Sequence, residues 1–105
     1  MDLNEYQREA RKTAVYPVEL GLIYSVLGLT GEAGELANKV KKMIRDPDSA
    51  PSADEVAAEL GDVLWYVSAV ADNIGIKLEY VAEANLNKLR ARAEKGTLRG
   101  SGDDR

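Results

Sequence analysis

Apolar side chains recur every three or four residues along most of this 105-residue chain, and this period is the feature that most limits its fold. No segment alternates apolar and polar residues as a half-buried strand does. The strongest apolar stripe runs through the segment after residue 52 and consists of Val56, Leu60, Val63, Leu64, Val67, Val70, Ala71 and Ile74. The sequence therefore predicts an all-α fold.

Proline and glycine divide the helical pattern into four segments. Pro17, the sequence 46–51 with its two prolines, and Gly75 each interrupt it. The predicted helices cover residues 2–14, 18–45, about 52–74 and 78–93, with Ser52 or Asp54 as the N-cap of the third. The short break between the two longest helices predicts an antiparallel hairpin with a flanking helix at each end.

Chain length predicts one domain and self-association. Residues 1–95 form the predicted domain, and residues 96–105 form a glycine-rich tail that we expect to be mobile. A chain of this size buries roughly two thirds of its unfolded surface, so its own core is modest. We therefore expect homo-oligomerisation to complete a four-helix-bundle core around the hairpin.

Composition excludes several kinds of chemistry. With no His and no Cys, the chain has no Ser-His-Asp or Cys-His nucleophile and no His or thiolate zinc ligand. A net charge of −4 argues against duplex nucleic acid as a partner. The first residues do not resemble a signal peptide, and no apolar stretch approaches a membrane span. The expected location is the cytoplasm, without membrane contact.

Two acidic pairs with a spacing of three residues lie in the two long helices, Glu32 with Glu35 and Glu59 with Asp62. Such pairs arise by chance in an acidic chain, so their position must carry the argument. At 100° per residue, the first acid of each pair lies about 80° from the apolar stripe of its helix and the second about 140°, in the same sense. If the stripes face each other, all four carboxylates share one edge.

The position of the turn determines which acids of the two helices lie opposite each other. The numbers of Glu32 and Asp62 average 47, as do those of Glu35 and Glu59, and Pro47 lies inside the only break between the helices. A hairpin that turns there places each of these two pairs side by side. Carboxylates gathered at one level repel each other unless a cation lies between them. Oxygen ligands alone favour Mg²⁺, with Mn²⁺ as a possible substitute. The less specific alternative is that these acids are solvated surface residues.

The last helix carries Asn85, Lys88 and Arg92 on one face, and these side chains can donate to phosphate oxygens. A solvated basic face is the alternative. Trp65 and Tyr66 flank the stripe of the third helix, where they either pack in an oligomer core or stack on a nucleobase. Tyr66, one turn after the last acid, is the better stacking candidate. A metal beside cations implies a phosphorylated substrate.

These residues resemble a known family, the all-α MazG-like nucleoside triphosphate pyrophosphohydrolases. The family motif is Glu-x-x-Glu followed by Glu-x-x-Asp, and here Glu32-x-x-Glu35 and Glu59-x-x-Asp62 are separated by 23 residues. The segment from Asn85 to Arg92 is similar to the family's phosphate-contacting segment, and residues 96–105 are similar to the end of its short stand-alone members.

The resemblance implies hydrolysis of a nucleoside triphosphate between its α and β phosphates, in a homodimer or homotetramer, with nucleotide-pool house-cleaning as the role. It makes Glu35, Glu59 and Asp62 metal ligands, and Glu32 either a fourth ligand or the catalytic base that orients water. It assigns Lys88 and Arg92 to the β and γ phosphates, Asn85 to the α phosphate or sugar, and Tyr66 to the sugar or base. The alternatives are a phosphoribosyl-ATP pyrophosphohydrolase and a noncatalytic helical interaction module.

Overall fold

A computed structural model describes residues 1–104 of the chain. Within this part the secondary structure is entirely helical, with no strand, which confirms the predicted all-α class. The four α-helices are α1 Leu3–Arg11, α2 Gly21–Arg45, α3 Ala53–Asn73 and α4 Leu78–Lys95. The predicted first and last residues of each helix are correct to within about three residues.

Two predicted helices are too long at one end. After α1, the amides of Lys12, Thr13 and Ala14 donate to carbonyls three residues earlier, so the chain tightens into turns. Residues Val18–Leu20 form a separate 3₁₀ turn after Pro17, and α2 begins at Gly21 instead of residue 18. Of the two predicted caps for α3, the structure selects Ser52, whose hydroxyl accepts from the amide of Glu55 at 3.1 Å.

Small residues form the contact between α2 and α3. Ser25 is fully buried in this hairpin, and a Cβ at Gly21 would collide with Asn73. Likewise, a Cβ at Gly28 would lie inside the ring of Tyr66. The helices are therefore antiparallel. In both contacts the residue numbers average 47, so the hairpin turns at the position predicted from the sequence.

The apolar stripes do not face each other as fully as predicted. Leu22 and Val26 on α2 remain 45% and 44% exposed, and Leu60 on α3 remains 53% exposed. Because the glycine face allows a closer approach of the two backbones than a leucine face does, the hairpin closes on small residues. Other large apolar side chains also remain exposed, among them Ile23 and Leu27 on α2.

Helix α1 joins α3 to the start of α4. The buried Gln7 accepts from the amide of Leu78 at 2.9 Å and donates to the carbonyl of Ile76 at 2.9 Å. It thereby satisfies an amide at the start of α4, where the N-cap residue supplies no side-chain hydrogen bond. Arg11 donates to Asp72 of α3 at 2.7 Å. Helix α4 packs against α1 and α3, and among the described residues its backbone does not approach that of α2.

The tail leaves α4 through Gly96, which has a left-handed φ of 72°. Asp103 then lies beside Lys88 and Arg92 on α4. The last residue of the predicted tail, residue 105, lies outside the described residues. Among those described, no helix is both long and apolar enough to cross a membrane.

Candidate active site

Three of the four predicted metal ligands come together at the middle of the hairpin. Glu32 on α2 and Glu59 and Asp62 on α3 each present a carboxylate oxygen, and the three oxygens lie within 4.8 Å of one another. Glu32 and Glu59 are half-buried, whereas Asp62 is exposed. Glu35 lies one turn further along α2, is exposed, and is not part of this trio.

A lysine that the sequence analysis did not consider completes the cluster. Lys39 Nζ lies 2.9 Å from Oε1 of Glu59, and this hydrogen bond raises the pKa of Lys39. The other oxygen of Glu59, Oε2, is buried and has no hydrogen-bond partner among the described residues. Lys39 lies seven residues after Glu32, two helical turns along the same face, and this spacing could have identified it.

The three carboxylates fit a divalent cation. Burial and the negative charges of Asp62, Glu59 and Glu35 raise the pKa of Glu32. A buried carboxylate oxygen without a partner is costly, and a hard cation with oxygen ligands relieves both that cost and the repulsion. The donor set therefore suits Mg²⁺ or Mn²⁺ and does not suit a metal that prefers nitrogen or sulfur ligands.

Replacing Glu32 by Gln is expected to raise the melting temperature of the metal-free protein at pH 7. The raised pKa means that the folded chain holds the Glu32 proton more tightly than the unfolded chain does. The stability this provides is present at low pH and is lost as pH rises through the Glu32 pKa. Glu32→Gln removes this loss, so its advantage should appear near pH 7 and vanish near pH 4.

Thermal melts in EDTA at both pH values test this expectation. Glu83→Gln, at an exposed position on α4, is the matched control and should melt as the unaltered protein does. A lower melting temperature for Glu32→Gln at pH 7 would contradict the electrostatic description of the cluster.

A cleft of about 380 Å³ opens beside the carboxylates. Its lining residues are Thr13, Val15, Tyr24, Trp65 and Tyr66, together with Glu32 and Asp62. Acidic oxygens thus occupy one wall, and aromatic rings occupy much of the rest. This arrangement places the carboxylate cluster next to aromatic side chains that can receive a flat ring.

The aromatic wall is an interlocked group. The rings of Trp65 and Tyr66 meet edge to face with centroids 5.0 Å apart, and Tyr24 lies 6.4 Å from Tyr66. Trp65 Nε1 donates to the hydroxyl of Thr13 at 2.8 Å, which fixes the indole. Tyr16 stacks on Tyr24 at 5.0 Å. Trp65 and Tyr66 were predicted from the sequence as stacking or core residues, whereas Tyr16 and Tyr24 were not predicted.

The three predicted phosphate-binding residues lie elsewhere in the single chain. Asn85, Lys88 and Arg92 are on α4, and they are absent from the cleft lining. Lys88 and Arg92 instead form ion pairs with Asp103 at 3.1 and 3.0 Å. Within the described residues of one chain, the structure does not bring these side chains to the carboxylates.

The fold and the site define an all-α protein with a carboxylate cluster at the centre of a helical hairpin. Comparison with known proteins identifies its family. Residues 24–97 match the MazG nucleotide pyrophosphohydrolase domain. The chain is 46% identical over 115 aligned positions to the Gene 37 protein of Mycobacterium phage L5, with complete coverage of both chains. It is 38% identical over 84 positions to the uncharacterized protein YvdC of Bacillus subtilis (strain 168), covering 72% of this chain and 79% of that protein.

No solved structure matches the chain. The protein belongs to the MazG nucleotide pyrophosphohydrolase family, which confirms the resemblance drawn from the two acidic motifs. Membership suggests nucleotide pyrophosphohydrolase activity.

Proposed function

We propose that this protein is a Mg²⁺-dependent hydrolase that cleaves nucleoside or deoxynucleoside triphosphates between the α and β phosphates, releasing the monophosphate and pyrophosphate. The observation that carries the proposal is the convergence of Glu32, Glu59 and Asp62 in a chain of the MazG family. Removal of noncanonical or surplus nucleotides, a house-cleaning role in the cytoplasm, is the corresponding cellular function.

The metal site is proposed from the fit of the donors. Glu32, Glu59 and Asp62 would hold the cation, and Glu35, one turn along α2, would join as a fourth ligand after a side-chain rotation. When bound, the cation neutralises phosphate charge and lowers the pKa of a coordinated water. Glu32 is either a ligand or the base that orients the attacking water, because it combines a raised pKa with a position at the cleft.

The nucleoside part of the substrate is proposed to enter the aromatic cleft. Tyr66 lies one turn beyond Asp62 and lines the cleft together with Tyr24 and Trp65. Burial and the neighbouring Tyr24 raise the pKa of Tyr66, so its hydroxyl stays protonated and can donate to a sugar or base. The triphosphate would then extend from the cleft toward the carboxylates.

The phosphate-binding role of α4 requires a second copy of the chain. Lys88 and Arg92 are proposed to hold the β and γ phosphates, and Asn85 the α phosphate or sugar. Since the backbone of α4 does not approach α2 among the described residues of one chain, we propose that a partner subunit in a homodimer or homotetramer supplies these side chains.

The exposed apolar surface supports the same assembly. On α2, Ile23 and Leu27 are 63% and 67% exposed, and on α4 Leu86 is 47% exposed. Large apolar side chains left exposed on two helices are available for burial against a partner. Its burial between two copies would complete the four-helix core, and a monomeric mass in sedimentation experiments would contradict this arrangement.

Product analysis tests the proposed reaction. Purified protein with Mg²⁺ and a panel of canonical and modified triphosphates should release pyrophosphate, whereas release of orthophosphate would refute cleavage between the α and β phosphates. Adding phosphoribosyl-ATP to the panel tests the alternative pyrophosphohydrolase activity.

Mg²⁺ is expected to stabilise the protein against thermal unfolding. A ligand that binds only the folded state adds about 2.7 kcal/mol at a hundredfold excess over its Kd. Melts in EDTA, in Mg²⁺ and in NaCl of equal ionic strength separate specific binding from screening. A noncatalytic helical module would show the same melting temperature in Mg²⁺ and in NaCl.

A further inference from the structure

The tail lays one acidic side chain across two cations of α4. Lys88 Nζ donates to Oδ1 of Asp103 at 3.1 Å, and Arg92 Nη2 donates to the same oxygen at 3.0 Å. Arg92 Nη2 also lies 3.4 Å from the carbonyl oxygen of Gly102. A single anionic oxygen therefore receives hydrogen bonds from both of the cations that the proposed function assigns to phosphates.

Glycines direct the tail back onto the helix. The left-handed φ of Gly96 allows the amide of Thr97 to donate to the carbonyl of Arg92 at 2.8 Å, which ends α4 and turns the chain. Gly102, immediately before Asp103, has a φ of 81°, a conformation that glycine adopts without strain. The chain therefore brings Asp103 back to α4 through two left-handed backbone conformations, and both fall on glycines, Gly96 and Gly102.

The two halves of this contact differ in how firmly they are held. Arg92 is only 6% exposed, and its Nε is buried with no hydrogen-bond partner in the described part of the chain. In contrast, the side chain of Asp103 is 80% exposed. Its hydrogen bonds to Lys88 and then to Arg92 lower the pKa of Asp103, so this carboxylate is charged at neutral pH. Burial restrains the guanidinium, and the exposed carboxylate is the half of the contact that can leave.

A polyphosphate is a better ligand for this cation pair than one carboxylate is. The Asp103 carboxylate is exposed, so it can exchange its contacts with Lys88 and Arg92 for contacts with water at little cost. A phosphate group offers three oxygens, so Lys88 and Arg92 Nη2 can each donate to a separate oxygen instead of sharing one. The aspartate accordingly resembles an incomplete substitute for a phosphate.

We propose that Asp103 is an internal anion that occupies Lys88 and Arg92 in the free protein and must leave before a polyphosphate binds there. The inference rests on the proposed function, which assigns these two cations to the substrate. Because the pair is available only in the fraction of molecules whose tail has moved away, the tail weakens the apparent affinity for phosphate ligands.

Titration of the full-length protein with inorganic tripolyphosphate, in EDTA and at fixed ionic strength, tests the proposal by calorimetry without catalysis. Asp103→Asn should bind tripolyphosphate about two- to fivefold more tightly than the unaltered chain, the range expected for loss of an exposed ion pair. Asp104→Asn removes the same charge at the next residue and should bind as the unaltered chain does. In a Lys88→Met background the effect of Asp103→Asn should shrink, since the two side chains act on each other.

Equal or weaker binding by Asp103→Asn, or no detectable binding by either protein, would overturn the inference. Equal tightening by Asp104→Asn would also overturn it, because the effect would then reflect net charge. The two proposals fail separately. If no triphosphate is hydrolysed but Asp103→Asn still tightens tripolyphosphate binding, the enzymatic proposal fails and the internal anion stands. If hydrolysis occurs and the two Asn variants bind alike, only the internal anion is refuted.

Discussion

Replacing Glu59 by Gln should slow pyrophosphate release, with a loss of about a thousandfold in kcat/KM. Glu59 contributes both the oxygen bonded to Lys39 and a buried oxygen that has no hydrogen-bond partner among the described residues, which a cation could supply. The amide keeps the size and shape of the side chain but removes the charge that would hold a divalent cation. Pyrophosphate release at saturating Mg²⁺ measures the effect, and circular dichroism checks that the helices remain.

Two control variants separate the possible causes of that loss. Lys39→Met breaks the same ion pair but leaves the Glu59 charge in place, so its activity should fall far less than that of Glu59→Gln. Glu83→Gln alters an exposed carboxylate on α4 and should retain full activity. If Glu59→Gln hydrolyses triphosphates at the original rate, the carboxylate cluster is not the metal site. Comparable losses in Glu59→Gln and Lys39→Met would instead assign the importance of Glu59 to its ion pair.

Gly28→Ala is expected to destabilise the protein by about 1 to 3 kcal/mol, the usual cost of overpacking a close contact. The added methyl group would occupy the space of the Tyr66 ring, which is itself packed between Tyr24 and Trp65. The ring or the hairpin must move, and either movement also changes the wall of the cleft. Urea unfolding measures the loss, and a rise in KM for the triphosphate should accompany it.

Gly31→Ala, on the same helix, is expected to stabilise the protein instead. A Cβ at Gly31 meets nothing within 4 Å in the described chain, so the better helix propensity of Ala should add about 1 kcal/mol of stability. Combining Gly28→Ala with Tyr66→Ala tests the contact directly, because the double variant should lose less than the sum of the two single losses. Strict additivity would show that the cost of Gly28→Ala arises elsewhere.

Several features of the site followed from the order of residues along the chain. The sequence predicts a turn between the long helices at Pro47. In the structure Gly28 lies opposite Tyr66, as a hairpin that turns at residue 47 requires. Register along an antiparallel hairpin depends mainly on the length of the connection, which the prolines mark. The convergence of Glu32, Glu59 and Asp62 is a consequence of that register.

Rotation of the helices about their axes was less predictable. The periodicity located apolar stripes but gave no preference for the competing face of Gly21, Ser25 and Gly28, whose small side chains allow a closer backbone approach. This rotation places Glu32 and Glu59 half-buried at the contact between the helices. It also leaves Leu22, Val26 and other stripe residues exposed, available for the proposed partner subunit.

Helical period, proline breaks and the spacing of acids are local properties, so the amino-acid sequence by itself determined the all-α class, the hairpin and the level of the carboxylates. The tertiary structure alone decided which oxygens meet, that Lys39 binds Glu59, and that Asp103 returns to Lys88 and Arg92. Each of these contacts joins residues from separate parts of the chain, either two helices or a helix and the tail, and depends on how their side chains pack. Periodicity along one helix carries no information about such packing.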